Sequence, residues 1–330
     1  MSAPLLALLL GLSGPASAYE TDQLTHRNSP LDDLVDEANQ QVDALLQRAV
    51  QVTNARTGCS AGLERTHQTL AAQIHRFAGG DAVVWKRGLV RMWGFSRYAA
   101  WLETRPGQKR SFYHRYDIFA DLTFLDSPVL HAVGPCGTIK LAGQTVGTDK
   151  LDHFFKVGYD YYEKSDWGLD PDAAVEWGTA TERTYWGTLT SRTFSFADLR
   201  ANYDGMRMYI GLLQPDSPLQ RDEQGCVTQV RPWDWREIIT WEYDEVLNPS
   251  VFAPLIQDVI SQTLHERRDE LCAEYVEWGG DAYREHLRAV LASWPPYVRG
   301  PAPARSDPFQ LDRLCYGDPL WSKGGTAPSE

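Results

Sequence analysis

The sequence predicts a mainly α fold, a multi-helix domain with one small β hairpin near residues 129–147. Two patterns and one composition figure predict it. Apolar residues recur at helical spacing, as in Leu31, Leu34, Val35, Ala38, Val42, Leu45, Leu46 and Val50. β-branched runs bounded by turn residues stand at Val129–Val133 and Thr138–Leu141, with Gly134, Pro135, Gly137 and Gly143 around them. Hydrophobic residues make up 43% and aromatics 12% of the 330 residues, ample for a buried core.

The elements follow in chain order. Residues 1–18 combine an uncharged apolar run with Ala16-Ser17-Ala18, the pattern of a secretory signal and its cleavage site. The expectation is export to the periplasm or cell envelope, with the whole net charge of −12 on the mature chain. No later stretch reaches the ~20 apolar residues of a transmembrane helix, so none is expected and any membrane association is peripheral. The acidic balance, with a pI near 5.2, argues against a nucleic-acid partner.

Residues 19–128 are expected to form an N-terminal helical region. A helix over 30–55 starts beside Asp32 and Asp33, whose charges suit a helix N-terminus. A second covers 61–78 and stops near Gly79-Gly80; a third covers 82–103. His67 and His75 fit helix packing. The basic, aromatic-containing segment 104–116 fits a solvated loop, with contact to an acidic or sugar substrate as the sharper reading.

Residues 129–213 form the expected central core and 214–294 a C-terminal helical region: a loop over 214–232, helices over 250–277 and 280–293, and Trp233, Trp235 and Trp241 on a further helix. Those aromatics fit either a packed core or a sugar-binding groove. Residues 295–330 are Pro/Gly-rich and expected to be an extended tail. Cys59, Cys136, Cys226, Cys272 and Cys315 contain no Cys-x-x-Cys, so one or two disulfides with a leftover thiol are expected, in any pairing.

The chemistry concentrates between Gly147 and Gly205. Helices are expected at 149–164, 171–186 and 195–211, the first after Gly147-Thr148, the second opening on Pro171, the third on Ser195 with Asp198 three residues on. At 100° per residue, Asp198, Asn202, Gly205 and Tyr209 form one stripe beside Phe196, Leu199, Tyr203, Met206 and Ile210. Arg200, Asp204 and Arg207 fall on the opposite side. Asp198 and Asn202 are therefore expected in the packed arc, where a carboxylate needs a partner. Gly205 admits another backbone or a ligand at close range. Glu182 lies off the charged face of Asp172, Glu176 and Arg183, and is expected to be partly buried. Asp149 and His153 share a face with Lys156, Asp160, Glu163 and Lys164, which by periodicity alone is solvated.

The order Asp149-Lys150-x-x-His153-Phe154, then Glu182, then Ser195-x-x-Asp198-x-x-Ala201-Asn202-x-x-Gly205 resembles the VanZ-like proteins and is similar to the YfiM-type bacterial envelope lipoproteins. The resemblance spans about 60 residues. It implies a cell-envelope setting and convergence of Asp149, His153, Glu182, Asp198 and Asn202. The helices here are too charged to span a membrane, unlike those of VanZ-like proteins, and the lipid-bearing Cys of the YfiM type is missing.

Two functions follow as expectations. In the first, Asp149, His153, Glu182 and Asp198 act as acid and base, or hold a divalent metal ion, in a hydrolase or transferase acting on an envelope lipid or glycan. Lys150, Ser195, Asn202 and Gly205 then bind substrate. In the second, the protein is a non-catalytic envelope binding or scaffold protein, and the same groups lock helices together.

Overall fold

The computed structural model describes residues 20–24, 30–79, 117–123, 136–184, 187–277 and 294–303, with short pieces at 112–113, 125–127, 285–286, 288–290, 292 and 314–315. The signal-like segment 1–18, the expected helix at 82–103, the expected strand at 129–133 and the end of the tail lie outside the described residues, as does most of 280–293.

The protein is mainly α with small antiparallel sheets. Helices α1 (Val35–Thr57) and α2 (Leu63–Gly79) form an antiparallel pair. Asp33 organises the start of α1. Its carboxylate accepts the Val35 N–H at 3.0 Å and also takes the Ala142 and Gly143 N–H groups, pinning the helix to the hairpin turn. His67 meets the Tyr162 hydroxyl at 2.8 Å and His75 stacks on Tyr159, so both histidines serve helix packing as expected.

The small sheet has the order β1 (Phe112–Tyr113), β2 (Thr138–Leu141), β3 (Gln144–Gly147). The hairpin is thus β2–β3, turning at Ala142-Gly143, so the hairpin partner of Thr138–Leu141 follows it, while the short β1 pairs with its other edge. Gly143 has φ +79°, a conformation suited to glycine at a tight turn. Strand β3 leads directly into helix α3 (Thr148–Asp152), which places Asp149 and Lys150 at the end of a rigid element.

The expected 149–164 helix is interrupted. A π turn, His153–Val157, separates α3 from α4 (Gly158–Lys164), with the Gly158 N–H bonded to the His153 carbonyl. A π turn adds a residue and resets the helical phase beyond it. Helix α5 (Pro171–Arg183) carries an Asp170 cap on the Ala173 N–H. After β4 (Thr193–Phe194), helix α6 (Phe196–Gly211) runs through the centre, capped by Ser195. Gly158 and Gly205 are required where α4 crosses α6. A Cβ on Gly158 would stand 2.7 Å from the Gly205 Cα, and one on Gly205 would collide with the Phe154 carbonyl.

Several C-terminal expectations change. Segment 214–232 contains a hairpin, β5 (Leu219–Arg221) with β6 (Val227–Gln229). The tryptophan segment forms two 3₁₀ turns, Trp235–Glu237 and Trp241–Tyr243, because Thr240 and Asp234 each cap a short turn. Trp233 and Trp235 pack against Phe154 in the main core. Strand β7 (Val251–Phe252) pairs with β4, and the long helix divides into α7 (Pro254–Glu266) and α8 (Arg268–Glu277) at Arg267. Residues 294–303 are not a loose tail: Tyr297 and Val298 are fully buried against Phe194, Phe196 and Leu199. Disulfides join Cys59 to Cys226 and Cys272 to Cys315, and Cys136 keeps a buried thiol. Among the described residues, no helix is long and apolar enough to cross a membrane.

Candidate functional site

Lys150 is the centre of the site. Its side chain is 0% exposed, and its Nζ lies 2.7 Å from Asp149 Oδ2, 2.6 Å from Asp198 Oδ1 and 2.8 Å from Glu245 Oε1. Four distant pieces of chain meet there. Helix α3 supplies Asp149 and Lys150, α6 supplies Asp198, the segment after the second 3₁₀ turn supplies Glu245, and residues 20–24 close the top. Thr21 donates to Asp149 Oδ1 at 2.8 Å, and the Glu20 carbonyl accepts the Cys136 N–H at 2.7 Å. Gln23 accepts the Glu245 N–H through its Oε1.

Burial of Asp149 corrects the expectation of a solvated face for Asp149 and His153. Helical periodicity sees only α3, whereas residues 20–24 and Glu245 cover it from outside. His153, at the start of the π turn, is half-covered with 20% of its side chain exposed. Its Nε2 lies 3.2 Å from Asp198 Oδ2 and its Nδ1 3.0 Å from Asn202 Oδ1, so both ring nitrogens are engaged.

The remaining expected residues lie at helix ends and at a helix crossing. Ser195 accepts the Asp198 N–H at 3.1 Å and donates to Glu245 Oε1 at 3.0 Å, acting as helix cap and bridge. Glu182, at the end of α5, is buried and accepts the Ser195 N–H at 3.0 Å. Gly205 lies against the Phe154 carbonyl of the π turn and the Gly158 Cα of α4. The structure thus gathers Asp149, Lys150, His153, Asp198 and Asn202 into one bonded network, with Glu182 joined to it through Ser195.

Electrostatics follow from five carboxyl groups around Lys150 and the His153 ring. Burial works against the Lys150 ammonium, but Asp149, Asp198, Glu245 and Glu20 outweigh it and hold its pKa well above the ordinary value. Burial would raise Asp198, yet His153 and Lys150 overcome it and lower its pKa. Glu20 and Glu182 go the other way: burial first, then Asp198 and other carboxylates, push both well up, toward the neutral acid. Burial pushes Glu245 up to about 7, with Asp149 and Asp198 adding to the rise against the pull of Lys150.

Glu20 and Glu245 were not among the residues the motif singled out. Glu20 sits two residues past the signal-like segment and Glu245 within Trp241–Glu245, and neither position carries a chemical signature by itself. Among the described residues, the acid group with oxygens close enough to share a metal ion is Glu20, Asp149 and Asp198, without His153 or Glu182. The Lys150 ammonium already contacts two of those three carboxylates, so an ion there would have to displace it.

Comparison with protein-family models, with curated proteins and with solved structures finds no match to this chain.

Proposed function

We propose that this chain is an exported cell-envelope binding protein, without catalytic activity, in which the Lys150 cluster is a lock that joins the N-terminal segment, α3, α6 and the Glu245 segment. The carrying observation is the fully enclosed Lys150 ammonium within 2.6–2.8 Å of three carboxylates. Both ring nitrogens of His153 also lie against protein oxygens, Asp198 Oδ2 at 3.2 Å and Asn202 Oδ1 at 3.0 Å, which ties the ring into the same network. The two disulfides suit an oxidising compartment, and the VanZ-like order of residues suits the envelope. An envelope glycan or lipid headgroup is the partner class this reading takes.

The test is thermal unfolding of Asp198→Asn and Glu182→Gln. A lock predicts that each variant melts several degrees below the parent. Unchanged or raised melting temperatures in both would overturn the proposal, because polar groups held for catalysis are often strained and their removal does not destabilise.

A second reading has one observation in its favour. Among Asp149, Lys150, His153 and Asp198, His153 alone exposes as much as 20% of its side chain. With Asp198 orienting it, a His153 released from Asn202 would be a general base for hydrolysis of an envelope lipid or glycan. His153→Gln would then leave the melting temperature intact while abolishing hydrolysis. Elemental analysis of the purified protein tests the divalent-metal version of the same reading: a stoichiometric ion lost in Asp149→Asn would favour it over the lock.

A further inference from the structure

Residues 20–23 run through the interior, each no more than 3% exposed. Every one of them is held there. The Glu20 carbonyl accepts the Cys136 N–H at 2.7 Å, and Thr21 makes a parallel bridge to Cys136. The Thr21 hydroxyl donates to Asp149 at 2.8 Å, and Asp22 accepts the Ile118 N–H at 3.3 Å and the Thr138 hydroxyl at 3.1 Å. Gln23 accepts the Glu245 N–H at 2.6 Å. The Glu20 side chain is the exception. Its carboxyl has an oxygen within 4.8 Å of oxygens of Asp149 and Asp198, yet it makes no hydrogen bond or ion pair among the described residues. Five carboxyl groups face the Lys150 ammonium and the His153 ring, and the acid nearest the start of the chain is the one left over.

We propose that cleavage after Ala18 supplies the missing cation: the new α-ammonium of Tyr19 pairs with the Glu20 carboxylate and closes the Lys150 cluster. The covalent reach is short. Adjacent Cα atoms stand about 3.8 Å apart across a trans peptide, and Glu20 is fixed through its own carbonyl, so the amine is confined to the neighbourhood of the cluster. An α-amino group titrates at about 7.7–8.0, so it carries its charge at neutral pH. Burial and Asp198 push Glu20 toward the neutral acid, and an ammonium beside it restores the carboxylate. With residues 1–18 attached, the same nitrogen is an uncharged amide. Processing thus acts as a switch on the lock, which gains its last ion pair only in the mature chain. The inference rests on the export reading, because only loss of residues 1–18 creates this amine.

The experiment has two parts. Mass spectrometry of the exported protein reads its first residue, expected to be Tyr19; any other first residue overturns the proposal. Thermal unfolding then compares the chain that begins at Tyr19 with the same chain behind a Gly-Ser-Gly extension, each in the parent and in Glu20→Gln. The expected result is a melting temperature several degrees lower in the extended parent, an effect that largely disappears in Glu20→Gln. No loss on extension, or an equal loss in both backgrounds, overturns the pairing. Where Glu20→Gln does not fold, the Nα-acetylated parent, which loses the amine's charge alone, decides: it melts lower if the ion pair exists, and equal melting overturns it. The two readings fail separately. An inert extension with a destabilised Asp198→Asn removes the switch and leaves the lock. A Glu20-dependent loss on extension with a fully stable Asp198→Asn removes the lock and leaves the ion pair.

Discussion

Helix α6 carries two charged assemblies on different faces, and they are built on opposite plans. On one face Asp198 and Asn202 meet the enclosed Lys150 and the partly exposed His153 in one network. On the other, Arg200 spans Asp204 at 2.7 Å and Glu242 at 2.6 Å, and Asp204 also accepts from the Tyr243 hydroxyl at 3.1 Å. The Arg200 side chain keeps 18% exposure and Lys150 none. Burial opposes the Arg200 charge, but Asp204 and Glu242 outweigh it and raise its pKa. The difference follows from shape. An ammonium is a point charge that several carboxylates can surround, whereas a planar guanidinium fork bridges two and leaves an edge to water. One cation therefore contacts three enclosed carboxylates in the first assembly and two partly exposed ones in the second.

The largest expected effect is removal of the enclosed cation. Lys150→Met leaves Asp149, Asp198 and Glu245 buried without it, and losing one partner of a buried pair already costs about 3–5 kcal/mol. The expected outcome is a collapse in soluble yield, or a melting temperature far below that of any variant in the second assembly. A Lys150→Met protein as stable as Arg200→Ala would erase the contrast between the two faces.

The next effect is a pH dependence. Glu245 has a folded pKa raised from 4.5 to about 7. A raised pKa means the folded state holds the proton more tightly, so this contribution is complete below about pH 4.5 and is lost as pH climbs toward 7. The expected loss is on the order of 3 kcal/mol across that window. Glu20 and Glu182, also raised, act in the same direction, while the lowered Asp198 acts oppositely, losing its contribution as pH falls through its folded value. Denaturant unfolding at pH 5 and pH 7.5 reads this directly. Glu245→Gln, which mimics the protonated acid, should flatten the profile, and an identical slope in parent and variant would assign the titration elsewhere.

The smallest effect belongs to Arg200→Ala. Its partners are partly exposed and can rehydrate, so a loss of about 1–2 kcal/mol in the same unfolding assay is expected. A larger loss than that of Asp198→Asn would reverse the ranking of the two faces.

Much of the first assembly was legible along α6 itself. Ser195 as cap, the burial of Asp198, Asn202, Gly205 and Tyr209, and the burial of Glu182 all follow from 100° steps and capping chemistry. The face of Arg200 and Asp204 was legible as charged but not as half-covered, because the turn Trp241–Tyr243 that lies over it is remote in the chain. Asp149 was read on a solvated face and Lys150 as a substrate contact, and their enclosure comes from Thr21 and Glu245, 128 and 95 residues away. The π turn at His153–Val157 was invisible for a different reason: a single inserted residue leaves no compositional trace, yet it resets the phase of the rest of the helix.

The sequence by itself determined the mainly α class, most helix positions, the hairpin strand Thr138–Leu141 and the motif residues that meet in the interior. Those follow from local rules, in which period, caps and turn residues act within a few positions. The tertiary structure alone decided that Lys150 is the hub, that Glu20 and Glu245 complete its surroundings, and how four of the five cysteines pair. Each of these depends on which distant segments come together. An ammonium or a carboxylate takes its energy, and hence its role, from the charges and the water left around it after the chain has packed.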